Sequence, residues 1–145
     1  MSEPRTSPRR HRRRTVEVAG LDHVQLAIPT GEEALARLFY EGVLGLQEVR
    51  RPPVVARLGG IWFVGAGVAI HLGVEEPFRP SRKAHPALVV ADLGRAVERL
   101  QAAGVEIEED ASGLTVRRCY VSDPFGNRIE LLDAADAGFT EGHRR

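Results

Sequence analysis

Cysteine is nearly absent from this chain: Cys119 stands alone among 145 residues. A single thiol excludes an intramolecular disulfide and any cysteine-cluster metal site. Its strand-like surroundings read as those of a small buried hydrophobe. Long apolar runs are missing too. None approaches the ~20 residues of a membrane span, and no signal-peptide pattern opens the chain. A cytoplasmic protein without a membrane partner is expected. Net charge is also lacking, because 20 basic residues balance 20 acidic ones. That balance hides an uneven distribution. Residues 1–15 carry six arginines (5, 9, 10, 12, 13, 14) and one acid, Glu3, which leaves 14 basic and 19 acidic residues, about −5, elsewhere. Almost free of apolar side chains, this arginine-rich tail (taken as residues 1–19) is expected to be disordered. Arginine clusters attract phosphate, but the acidic body opposes nucleic acid as the main partner.

What is present from Gly20 onward is regular, and its length suits one domain. "LDHVQLAI" alternates, placing Val24, Leu26 and Ile28 on one face and His23, Gln25 and Ala27 on the other, the mark of a half-buried strand. Thr30 with Glu33 resembles a capping box ahead of an amphipathic helix, "EEALARLFYEGVLGL", with Leu35, Leu38 and Phe39 on its apolar side. "LQEVR", "VVARL", "IWFVG" and "VAIHLGV" read as strands, with Gly65–Gly67 as a tight turn. After a linker at 76–81 the order returns. "HPALVV" is a strand, Asp92 caps the helix "LGRAVERLQAAG", "VEIEE" is a short strand, and "LTVRRCYVSD" pairs with "RIELLD" across "DPFGN". In that loop Asp123 supports the turn. The organisation is β-α-β-β-β twice: module one over 20–75, module two over 82–133, and a C-terminal tail over 134–145.

One residue resists the pattern. Glu130 lies inside "NRIELLD", where a buried carboxylate costs several kcal/mol unless its charge is compensated. The repeat suggests the compensation. His23 and His85 open the two modules, while His71 and Glu130 close them, at separations of 48 (23 to 71) and 45 (85 to 130). Strand parity sets His71 opposite Ile70 and Leu72, and Glu130 opposite Ile129 and Leu131, so all four polar groups share the face away from the helices. If the modules pack about a pseudo-twofold axis, the four converge. Three imidazoles and a carboxylate suit a divalent transition metal: Zn, Ni, Fe, Mn or Co.

"LDHVQLAI", "FYEGVLGL", "AIHLGV", "AHPALVV" and "VSDPFGNRIELLD" together resemble the vicinal oxygen chelate superfamily. That superfamily includes glyoxalase I, bleomycin-resistance proteins, fosfomycin-modifying enzymes, methylmalonyl-CoA epimerase and extradiol dioxygenases. The resemblance implies an α+β fold of two tandem β-α-β-β-β modules forming a curved mixed sheet around a metal site. It implies His23, His71, His85 and Glu130 as ligands. It also implies a metal that chelates an oxygenated small-molecule substrate and stabilises an enolate or other oxyanion. One departure stands out, because the bacterial glyoxalase I pattern has a carboxylate where this chain has His71. Glu130 remains available as the catalytic base.

Gln25 and Arg128 share the ligand face and are candidate substrate contacts, Arg128 through bidentate binding of a carboxylate or phosphate. Trp62 and Phe63 alternate, so one can line the pocket, although core packing suits both. Arg82 and Lys83 read as a solvated linker. Three functions fit: a glyoxalase-like lyase or isomerase, a ring-cleaving dioxygenase, and a binding protein for a toxic compound without turnover. Small modules with exposed sheet edges also favour a homodimer.

Overall fold

A computed structural model describes residues 15–137. Most of the arginine-rich tail and the last eight residues of the expected C-terminal tail lie outside the described residues. Residues 15–20 are exposed and without regular structure.

The first module contributes β1 (Val24–Ile28), α1 (Glu33–Tyr40), β2 (Gln47–Val49), the single turn α2 (Pro53–Ala56), β3 (Ile61–Gly65) and β4 (Val68–Val74). The second contributes β5 (Ala87–Val90), α3 (Leu93–Ala102), β6 (Glu108–Glu109), β7 (Arg118–Ser122) and β8 (Arg128–Asp133), followed by a 3-10 turn at Ala134–Asp136. The strands form two four-stranded sheets, ordered β1-β4-β3-β2 and β5-β8-β7-β6. Each is mixed: β1 runs parallel to β4, β5 runs parallel to β8, and the other pairs are antiparallel. Each module thus contributes one mixed sheet to the expected α+β fold of two tandem β-α-β-β-β modules. Among the described residues, β1 and β5 have no strand on their outer side.

Three local expectations change. "VVARL" is not a strand, because Pro53 lacks an N–H and its fixed φ suits a first helical turn. The N–H groups of Val55 and Ala56 accordingly turn back to Pro52 O, at 3.1 and 3.0 Å. Arg51 donates to the carbonyls of Ala56 and Gly59 and closes that turn. The capping box does not form, since both of its side chains make tertiary bonds instead. Thr30 Oγ1 donates to Glu76 at 3.3 Å, and Glu33 Oε1 accepts the Gly60 N–H at 2.7 Å. Finally, the buried side of α1 is Ala36, Phe39 and Tyr40, whereas Leu35 and Leu38 are exposed.

Other signals match the structure. Asp92 caps α3 by accepting from Arg95 N at 3.0 Å. Ala66 and Gly67 take φ values of 39° and 81°, the positive pair of a tight hairpin turn. The two modules share one apolar core, in which Ile28, Phe39, Tyr40, Phe63 and Ile70 meet Leu100, Val121, Ile129 and Leu131.

Asp123 does more than hold its turn. Its carboxylate accepts from the backbone N–H groups of Phe125 (2.9 Å) and Asn127 (2.8 Å). It also accepts from the Asn127 amide (2.8 Å) and from the hydroxyl of fully buried Tyr40 (2.7 Å) on the other module's helix. Asn127 Nδ2 donates again, to Ala27 O of β1 at 2.8 Å. The β7–β8 loop is thus clasped to module one.

Candidate metal centre

Strand register places the candidate residues in two equivalent sets. Gln25 pairs with His71 across β1–β4, and Trp62 faces His71 from β3. In the other sheet Ala87 pairs with Glu130, and Tyr120 faces Glu130 from β7. His23 precedes Gln25 by two positions and His85 precedes Ala87 by two, both just ahead of their strands. Each sheet therefore carries a histidine at the mouth of its open edge strand, a ligand-type residue on the next strand and an aromatic ring beyond it.

In the second sheet, His85 Nδ1 lies 2.7 Å from Lys83 O. A carbonyl only accepts, so Nδ1 carries the proton and Nε2 presents its lone pair. That Nε2 stands 3.1 Å from Glu130 Oε2. Two acceptors at this distance ask for a proton or a cation between them. The other carboxylate oxygen, Oε1, accepts from Arg118 Nη1 at 3.1 Å. Arg118 is itself anchored on Asp110 through Nε at 2.9 Å, with Nη2 reaching Ser112 Oγ at 3.1 Å. Hydrogen bonds from Arg118 hold the Asp110 carboxyl at about 2, against an ordinary 3.8. The cation compensating Glu130 within the chain is therefore Arg118, a residue the sequence reading passed over. Its signal was available, since parity in "RRCYVS" puts Arg118 and Tyr120 opposite buried Cys119 and on the face of Glu130.

In the first sheet, His23 Nδ1 meets Asp22 Oδ1 at 2.6 Å, and this hydrogen bond holds the Asp22 carboxyl below its usual range. His23 Nε2 is again the nitrogen left for bonding. His71 lies between two rings: Trp62 at 3.9 Å and 4°, and His23 at 4.0 Å and 20°. Burial, then the neighbouring His23, push the His71 pKa down and favour its neutral, ligating form. Trp62 is thus half-buried on the site face, whereas Phe63 is fully buried; the expectation of core packing holds only for Phe63.

Donor chemistry fits a divalent metal. Histidines whose Nδ1–H is tied to a carbonyl or carboxylate, leaving Nε2 free, are the usual form of metal-bound imidazole. The carboxylate has one oxygen held and one presented. Assembly is a different matter. Among the described residues, no three His, Cys, Asp or Glu side chains stand close enough to hold one ion. The four candidates form two pairs, His23–His71 and His85–Glu130, on separate sheets. Stacked ring planes inclined by 20° also cannot both contain one ion at bonding distance, so His23 or His71 must rotate to chelate with the other.

The remaining candidates divide. Gln25 is exposed, and its amide lies over Gly73. The Arg128 guanidinium lies 4.0 Å over the Tyr120 ring and donates to Glu108 Oε1 at 3.1 Å. Arg82 and Lys83 are exposed, and only the Lys83 carbonyl reaches the site.

Paired β-α-β-β-β modules, each with its own four-stranded mixed sheet, define the class of fold. The chain belongs to the Glyoxalase/Bleomycin resistance protein/Dioxygenase superfamily, whose family model matches residues 20–131. It is 29% identical over 128 residues to a lactoylglutathione lyase of Salmonella typhimurium, covering 80% of this chain and 93% of that protein. The solved structure of a glyoxalase family protein from Bacillus anthracis superposes with a TM-score of 0.78 at 41% identity, covering 82% of this chain and 98% of that one. An antibiotic-binding protein, TnmS3 from Streptomyces sp. CB03234, shares the fold at 24% identity and a TM-score of 0.62, covering 81% of this chain and 98% of that one.

Proposed function

We propose that the protein is a divalent-metal-dependent, glyoxalase-like lyase or isomerase of a small oxygenated substrate. Its site is shared between two copies of the chain: His23 and His71 from one, His85 and Glu130 from the other. The observation that carries this reading is the matched placement of the two half-sites beside β1 and β5, the corresponding edge strands of the two sheets. Joining β1 of one chain to β5 of a second covers both edges and brings the pairs together. Membership of the superfamily and the likeness to a lactoylglutathione lyase support a glyoxalase-like activity.

When bound, a Zn, Ni, Fe, Mn or Co ion supplies Lewis acidity to the substrate oxygens. The chain's own residues do the rest. Lys83 O and Asp22 fix the tautomers of His85 and His23. Arg118 holds Glu130 Oε1, so Oε2 is the atom that would hold the ion and, once released from it, take a proton from the carbon beside the carbonyl and return it to the neighbouring carbon. Trp62 gives the substrate a flat wall, and Gln25 offers an amide donor at its rim.

The test is elemental analysis of the untagged protein, with Glu130→Ala and His23→Ala. Near-stoichiometric metal is expected in wild type and its loss in each variant. Mixing the two variants should restore metal, because one site of a mixed pair keeps all four ligands. Restoration fails if the site lies within one chain. A protein that stays empty after reconstitution with every metal named sinks the enzymatic reading. Iron together with oxygen uptake on catechols would move the assignment to a dioxygenase.

A further inference from the structure

The site face of the second sheet carries two arginines, and they are used differently. Arg118 has Nε on Asp110, Nη1 on Glu130 and Nη2 on both Asp110 and Ser112. Each of its three nitrogens donates. The central carbon of the Arg128 guanidinium lies over the Tyr120 ring, 4.0 Å from the centroid, a contact that uses no N–H. Of its donors only Nη2 has an acceptor among the described residues, namely Glu108 Oε1, on a side chain 65% exposed. An ion pair with so exposed a carboxylate is weak and readily exchanged.

Two further donors face the same way. Ser122 is the cross-strand partner of Arg128, and Tyr120 that of Glu130. Directly opposed side chains on an antiparallel pair lie about 5 Å apart at Cβ. Neither hydroxyl has an acceptor among the described residues. Tyr120 also receives the His85 ring edge-on at 5.6 Å, which ties this cluster to the reacting end of the site. Arg128 sits one strand repeat, about 7 Å, from Glu130.

We propose that Arg128, Ser122 and Tyr120 form an anion subsite, and that the substrate is an oxygenated compound bearing a carboxylate or phosphate several bonds from its reacting oxygens. This rests on the reading of His85 and Glu130 as the reacting end. A planar guanidinium fixed on a ring, with Nε and Nη1 unused, is arranged to receive two oxygens of such a group. Glu108 is the ligand displaced.

The experiment is calorimetric titration of the full chain with two matched pairs. Dihydroxyacetone phosphate is set against dihydroxyacetone, and 2-oxoglutarate against 2-oxopentanoate, each in chelator and again with added zinc or nickel. Wild type should prefer the anionic member of at least one pair by roughly tenfold or more, the factor one charge-assisted hydrogen bond supplies. The phosphate pair alone, the carboxylate pair alone, or both then identify the group. Arg128→Gln should bring the preference close to parity, Ser122→Ala should reduce it, and Arg128→Lys should keep part of it. Any contribution of the N-terminal arginines is common to every variant and cancels. His85→Ala should lose metal yet keep the anion preference, so failure of the metal reading and failure of the subsite are seen separately. No preference in wild type, or one unchanged in correctly folded Arg128→Gln, overturns the proposal.

Discussion

Replacing Arg118 with methionine tests what neutralises the acid in the core. The Arg118 and Glu130 side chains are 18% and 10% exposed and meet at 3.1 Å. An exposed pair contributes up to about 1 kcal/mol, whereas removing one partner of a fully buried pair costs about 3–5. This pair is mostly enclosed but lies on an open sheet face, so Arg118→Met should cost about 2 kcal/mol, midway between those limits. Methionine keeps much of the volume, which leaves charge as the main change. In urea the midpoint should fall by about 1 M. Glu130→Met should also destabilise, but Arg118→Met with Glu130→Met should recover much of the loss, because no charge is then left unpaired. Saturating metal should stabilise Arg118→Met more than wild type, since the ion then supplies the missing positive charge. If Arg118→Met unfolds within about 0.5 kcal/mol of wild type, or the double variant merely adds the two losses, Arg118 is not what compensates Glu130.

Three other outcomes follow from the same geometry. Asp123→Ala strips the acceptor from buried Tyr40 and Asn127 and should cost about 3 kcal/mol in chemical unfolding, whereas Tyr40→Phe, which leaves Asp123 its other donors, should cost about 1; equal losses would contradict the clasp. Because the Asp110 carboxyl is depressed from 3.8 to about 2, the unfolded chain binds its proton first, so its contribution is present above the ordinary value and lost as pH falls toward 2. Asp133 and Asp136 are depressed in the same direction by backbone donors. Unfolding free energy should begin to fall below about pH 6.5, where unfolding lets the depressed His71 take up a proton. It should fall further between about 4 and 2, with a shallower acid decline in Asp110→Asn. Burial holds His71 below its ordinary 6.5, so Trp62→Leu should move its titration, followed by NMR, back toward that value; an unmoved midpoint would show that the indole does not provide the burial.

Period-two and helical patterns carried most of the fold, because each element buries one face. They located β1, β4, β5, β8 and α3, and the module repeat predicted which strands would correspond. They failed where backbone chemistry outweighed side-chain pattern, as at Pro53, whose φ turned an apolar run into a helical turn. They failed again where a polar side chain had a distant partner, as with Thr30 and Glu33. Periodicity says which face a residue is on but nothing about which sheet adjoins which. The four candidate ligands were therefore legible as residues, while their division into two pairs was not. Arg118 was not legible as the counter-charge, because a ligand role for Glu130 already accounts for its charge with a metal ion.

The clasp around Asp123 also bears on how two chains come together. Tyr40 and Asn127 bind module one to module two through buried hydrogen bonds within a single chain. Trading a module with another molecule would require breaking them in the interior, an opening on the slow time scale of partial unfolding. If two copies share a site as proposed, their pairing is a collision between finished subunits, reversible and second order. Each lone subunit would then carry two unmatched half-sites, and the fraction of complete sites would rise and fall with the concentration of the protein itself.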